Sequence, residues 1–148
     1  MDEVIVLVNF NKYLGGGETL MVRFCEYLRV NNQNFIVICS KESFIKSELI
    51  SIEINPNFIR EVSLDHNFFY LNQTNRREFV KDLKNKIGNH SKVRFVTFQM
   101  RDLYTVFNLS NEFKKCSITH LILHPQDNFY LGQTIINKIY YKIFNQRI

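Results

Sequence analysis

Three of the chain's five glycines stand together, Gly15-Gly16-Gly17, directly ahead of Glu18 and a segment whose apolar residues recur at helical spacing. A helix start made of glycines has backbone N–H groups with no intrahelical acceptor and no Cβ to hold a ligand away. Together with the positive end of the helix dipole, this suits an anion such as a phosphate. His120 and His124 are the other spacing of chemical interest. On a helix they would share a face and could hold a metal, but their surroundings read as a strand, where four residues span about 13 Å, too far for one ion. No metal site is expected. His124, beside Pro125 and Asp127 at the carboxyl end of that strand, is placed to face a ligand, while His120 reads as a core or edge residue. Gln99, Arg101 and Asp102 follow another strand, and Arg101 suits a phosphate or carboxylate.

The glycine turn departs from two familiar phosphate motifs. A Walker loop needs Lys and Ser/Thr after its last glycine, and Glu18-Thr19 stand there instead. A dinucleotide fingerprint needs a third glycine opening the helix and an acidic residue after the second strand; Leu20 and Cys39-Ser40-Lys41 occupy those places. NAD is therefore not the expected ligand, and no cofactor is predicted.

The elements that must position these residues are legible as apolar runs. Val4-Ile5-Val6-Leu7-Val8 and Phe35-Ile36-Val37-Ile38-Cys39 read as strands buried on both faces, as in a parallel sheet covered by helices. Leu20, Met21, Phe24, Cys25 and Leu28 place a helix between them. A short helix is predicted over Glu42–Ile50, a break at Pro56, and a weaker third strand near an edge over Phe58–Leu64. Asn75 and Glu78 have the spacing of a capping box for a helix ending at Gly88. A strand over Val93–Phe98, a helix over Asp102–Lys114 and a strand over Ile118–Leu123 follow. From Thr134, the residues Ile135, Ile136, Ile139, Tyr140, Ile143 and Phe144 predict an amphipathic helix with Lys138 and Lys142 on its other side. The alternation predicts an α/β fold, a Rossmann-like doubly wound and mostly parallel sheet with helices on both faces. Ligands of such sheets bind beyond the carboxyl ends of the strands, where Asn9–Gly17, Cys39–Glu42, Gln99–Asp102 and His124–Asp127 should meet.

Composition bounds the rest. At 148 residues, 45% hydrophobic and 14% aromatic, the chain reads as one ordered domain with a substantial core. A net charge of +5 favours an anionic partner. No nucleic-acid signature accompanies that charge. Cys25, Cys39 and Cys116, odd in number and each within an apolar segment, read as reduced thiols. No stretch has the length of a spanning helix, and Asp2-Glu3 ahead of five apolar residues is not a signal peptide, so a cytoplasmic location is expected.

The strand Val4–Val8, the short loop, and Gly15-Gly16-Gly17-Glu18-Thr19 leading into a helix resemble the amino-terminal half of a GT-B glycosyltransferase, most closely the large retaining family numbered four. That family commonly shows a glycine pair, a small residue and Glu at this place, and a histidine after a late strand, as in Ile122-Leu123-His124-Pro125. The resemblance implies transfer of a sugar from a nucleotide-sugar to a glycan or lipid-linked acceptor without a metal. It assigns Gly15, Gly16 and Gly17 to the donor diphosphate and His124 to the donor sugar near the reacting carbon. By their position alone, Tyr13, Arg101 and Asp127 would border the acceptor. It further implies that residues 1–148 form one truncated amino-terminal domain, inactive alone, lacking the nucleotide-sugar domain. The basic amphipathic helix offers two readings, a core-packing helix or a peripheral seat on the inner face of the cell membrane. A non-catalytic α/β module binding a nucleotide or a protein partner is the alternative function.

Overall fold

The fold was obtained as a computed structural model and is described for residues 3–62, 73–88 and 92–121. Strand β1 (Glu3–Asn9) leads into helix α1 (Gly16–Val30), strand β2 (Phe35–Ser40) and helix α2 (Ile45–Ser51). A single 3-10 turn at Pro56–Phe58 precedes strand β3 (Ile59–Val62); helix α3 (Gln73–Ile87), strand β4 (Lys92–Thr97), helix α4 (Met100–Ser110) and strand β5 (Cys116–His120) follow. The five strands form one sheet in the order β3-β2-β1-β4-β5, every pairing parallel.

Two-sided burial explains why the apolar runs become the inner strands. Val4, Val6 and Val8 of β1 face α3 and α4, packing with Phe79, Val80, Leu83, Leu103 and Val106. Leu7 faces the other way, into a cluster with Met21, Cys25 and Leu28 of α1 and Ile45 and Leu49 of α2. Val6 and Leu7 are wholly inaccessible, and each such side chain is worth about 1.5–3 kcal/mol of burial. The edge strand β3 has only four residues, two of them half-buried, as its weaker pattern predicts.

Helix limits moved where side chains pack from outside a helix. Helix α3 begins at Gln73, so Asn75 lies inside it and does not cap it. Its other end is as expected: Gly88 takes φ 79° and its N–H bonds Lys84 O at 2.9 Å. Helix α4 ends at Ser110, leaving Lys114 and Lys115 beyond it. The extra apolar residue Phe113 packs its ring against Phe95 of β4 at 5.6 Å from a turn, so its helical spacing had another cause. Cys25 and Cys39 are buried free thiols, whereas Cys116 is half-buried and donates to Ser110 O at 3.2 Å. Burial pushes the Cys25 thiol up to about 12, and mutual repulsion with a Cys39 thiolate adds a smaller push in the same direction. Cys39 is raised to about 12 chiefly by burial and secondarily by the Glu61 charge.

Candidate site at the switch point of the sheet

The sheet order reverses direction between β1 and β4, and a crevice at such a point is where doubly wound sheets take their ligands. The loops leaving these two strands are joined there by one carboxylate. Glu18, in the first turn of α1, is 2% exposed. Its Oε1 accepts from Asn9 Nδ2 at 3.1 Å, Asn11 Nδ2 at 3.1 Å and Gln99 Nε2 at 2.8 Å. Its Oε2 accepts from the Gly15 amide at 2.9 Å. Asn9, fully buried at the end of β1, also accepts the Asn11 amide on Oδ1 at 2.9 Å. A weaker tie runs from the Phe10 amide to Asp102 Oδ1 at 3.4 Å, joining the β1 loop to α4.

Burial opposes the charge on Glu18, but its hydrogen bonds outweigh that cost and hold the carboxyl below its ordinary value. The charge also lies at the positive end of α1, where it is favoured. Gly15 is the N-cap of this helix, and a Cβ there would stand 2.9 Å from Glu18 Oε2, so the end of that side chain would have to shift against its hydrogen bonds. Gly16 is different, with nothing within 4 Å of where its Cβ would be.

The three glycines therefore divide. Gly15, expected to face a diphosphate, gives its amide to Glu18. Gly16 and Gly17 are the first two helical residues, whose amides have no intrahelical acceptor and find none elsewhere among the described residues. They open at the carboxyl edge of the sheet, Gly16 exposed and Gly17 half-buried.

Tyr13 stands in the same loop, 75% exposed, and Lys12 pairs with Glu42 after β2. Three of the four stretches expected at this edge thus meet: Asn9–Gly17 with Gln99–Asp102 through Glu18 and Asp102, and with Cys39–Glu42 through Lys12. Arg101 lies in the first turn of α4. His124 and Asp127 lie outside the described residues, as does the amphipathic helix expected from Thr134. His120 sits at the end of β5 with Nδ1 2.8 Å from Thr97 Oγ1 at the end of β4. Among the described residues no three His, Cys, Asp or Glu side chains gather closely enough for a metal, and no helix is long and apolar enough to cross a membrane.

Sequence alone does not gather Asn9, Asn11 and Gln99 into a group, since Gln99 reaches Glu18 across 81 positions. One local signal existed: Glu18 lies three residues after the N-cap Gly15, the capping-box spacing with glycine in place of Ser or Thr. An all-parallel 3-2-1-4-5 sheet with helices on both faces is a Rossmann-like α/β domain. No protein family, no curated protein and no solved structure matches the chain.

Proposed function

We propose that this chain is the amino-terminal Rossmann-like domain of a GT-B glycosyltransferase, which moves a sugar from a nucleotide-sugar to a glycan or lipid-linked acceptor. The observation that carries the reading is the Glu18-pinned glycine turn at the β1–β4 switch point, with the Gly16 and Gly17 amides open to the carboxyl edge. The glycine pair, small residue and glutamate that resemble the family's segment each have a physical task here: Gly15 leaves room for the carboxylate, Glu18 holds the turn, and Gly16 and Gly17 leave donors exposed.

Negative charge grows on a nucleoside diphosphate as it leaves the sugar. Two amides already fixed at a helix start stabilise that charge without reorganising. In this reading His124 bonds the donor sugar, and Tyr13, Arg101 and Asp127 border the acceptor. The donor's nucleoside belongs to a second domain, so the isolated domain binds donor weakly and does not turn over.

The test is amide NMR of the chain titrated with nucleoside diphosphate sugars and with inorganic pyrophosphate. Shifts concentrated on Gly16 and Gly17, and lost in Gly16→Val with an unchanged unfolding midpoint, support the diphosphate role. Undisturbed glycine amides at millimolar probe overturn it. In a natural protein that includes the second domain, the same substitution abolishes transfer of labelled sugar; retained transfer counts against the assignment.

A further inference from the structure

On the α1 side of the sheet, a groove of about 270 Å³ opens beside the helix, apolar along its length and charged at one end. Side chains on a strand alternate between faces, so Ile5 of β1, Val96 of β4 and Thr119 of β5 share its floor, with Leu121 just beyond β5. Leu20 and Phe24, one turn apart on α1, form a wall.

The same alternation puts Glu3, Arg94 and Ser117 at the amino end of this face, and the register sets Arg94 between Ile5 and Ser117. Glu3 Oε1 accepts from Arg94 Nε and Nη2, each at 3.1 Å, and Lys92 Nζ stands 3.6 Å from the same oxygen. Two cations thus share one carboxylate, which leaves a net positive charge. Arg94 Nη1 has no partner among the described residues. Ser117 Oγ, buried next to it, also lacks one, a cost that an arriving acceptor removes.

We propose that the groove is a binding site for a small amphiphilic anion, an aryl-alkyl carboxylate whose ring lies along Phe24 and whose head group meets Arg94. Size and charge both select this class. An apolar cavity of about 150 Å³ already admits benzene, so this space takes a ring and a short chain. The Phe24 ring offers an aromatic face for stacking. A bare hydrocarbon leaves the remaining guanidinium donors unused, and an amine meets two cations against one carboxylate. A carboxylate accepts from Arg94 in the planar geometry that a guanidinium favours. The site is distinct from the glycine turn, since none of residues 9–17 lines it.

Phenylpropionate, phenylpropanol and phenylpropylamine share one body and differ in the head. Titration of the chain followed by amide NMR should give saturable phenylpropionate binding, with shifts concentrated on Phe24, Arg94, Thr119 and Leu121. The alcohol and the amine should bind about tenfold more weakly, the worth of one charge-assisted hydrogen bond. Arg94→Gln should erase that preference and leave the alcohol's affinity unchanged. Thr119→Phe, which fills the floor, should abolish binding of all three while far-UV circular dichroism keeps the folded signal. Leu20→Glu, on a wall position that is 40% exposed, should weaken the acid and spare the amine, and it decides the matter should Thr119→Phe lose the fold. The proposal is overturned by the absence of a saturable shift at about 10 mM phenylpropionate, or by an alcohol or amine that binds as tightly as the acid. Acid binding that is unchanged in every folded groove variant overturns it as well.

Discussion

Replacing Glu18 by Gln keeps the shape of the side chain and removes its charge, and the consequence can be worked from the four bonds it accepts. If the glutamine oxygen takes the place of Oε1, facing Asn9, Asn11 and Gln99, its NH₂ group confronts the Gly15 amide, donor against donor. If the group is flipped, three donors are stranded and one is kept. Asn9 cannot adapt by turning its own amide, because its Oδ1 already accepts the Asn11 N–H at 2.9 Å. A stranded buried donor costs about 1–3 kcal/mol, and each bond to a charged acceptor that becomes neutral loses about 1 kcal/mol. Relief of charge burial returns part of this, leaving a net loss of about 3 kcal/mol, or about 6–12 °C in Tm for a chain of this size. Urea unfolding at neutral pH measures it. The acid dependence gives an independent check with a definite sign. The folded-state value of Glu18 lies below the ordinary 4.5, so its stabilisation is complete above that pH and fades as pH falls through the folded value. The difference between native chain and Glu18→Gln should therefore be widest at neutral pH and shrink in acid. A loss under about 0.5 kcal/mol, against the about 1–3 kcal/mol of even one stranded donor, or a difference constant to strong acid, refutes the view that this charge holds the turn.

Gly15→Ala places a Cβ 2.9 Å from Glu18 Oε2, whose shift strains the bond from the Gly15 amide, and should cost about 1 kcal/mol in urea unfolding. Gly16→Ala, with open space around the new methyl, should be neutral or stabilising by up to about 1 kcal/mol; equal losses at both positions would contradict the division of the glycines. Cys25 and Cys39, buried and raised to about 12, should resist a disulfide reagent at pH 8 in the folded protein, while half-buried Cys116 reacts first. Rapid modification of all three thiols before unfolding would contradict that order. Lys12→Ala should change stability by less than about 1 kcal/mol, because its pairing with Glu42 joins two exposed side chains; salt titration of the unfolding midpoint checks this.

What could be read from residues alone was whatever a single element decides. Val4–Val8 and Phe35–Cys39 announce themselves because a strand covered on both faces has no polar side to show. Gly88 ends α3 as expected, since a left-handed residue there is a local need. The errors fall where packing crosses elements. Phe113 imitates a helical position while lying in a turn against Phe95, and Asn75 imitates a cap while lying inside α3. The glycine turn was visible, but the division of its amides was not. That division depends on where Glu18 points, and Asn9, Asn11 and Gln99 aim it from three different segments.

The position of β1 at the middle of the sheet bears on how the protein is made. One margin of this strand meets β2, which follows shortly in the chain; the other meets β4, with Glu3 opposite Lys92 and Val8 opposite Thr97. A ribosome delivers the first neighbour roughly 3–10 s before the second. During that interval a β-branched strand presents a row of unpaired amides and carbonyls, the usual template for joining the wrong chain. The nascent protein thus has its greatest need of a chaperone between the emergence of Ser40 and that of Thr97, and slowing translation across that span should lower the yield of soluble product.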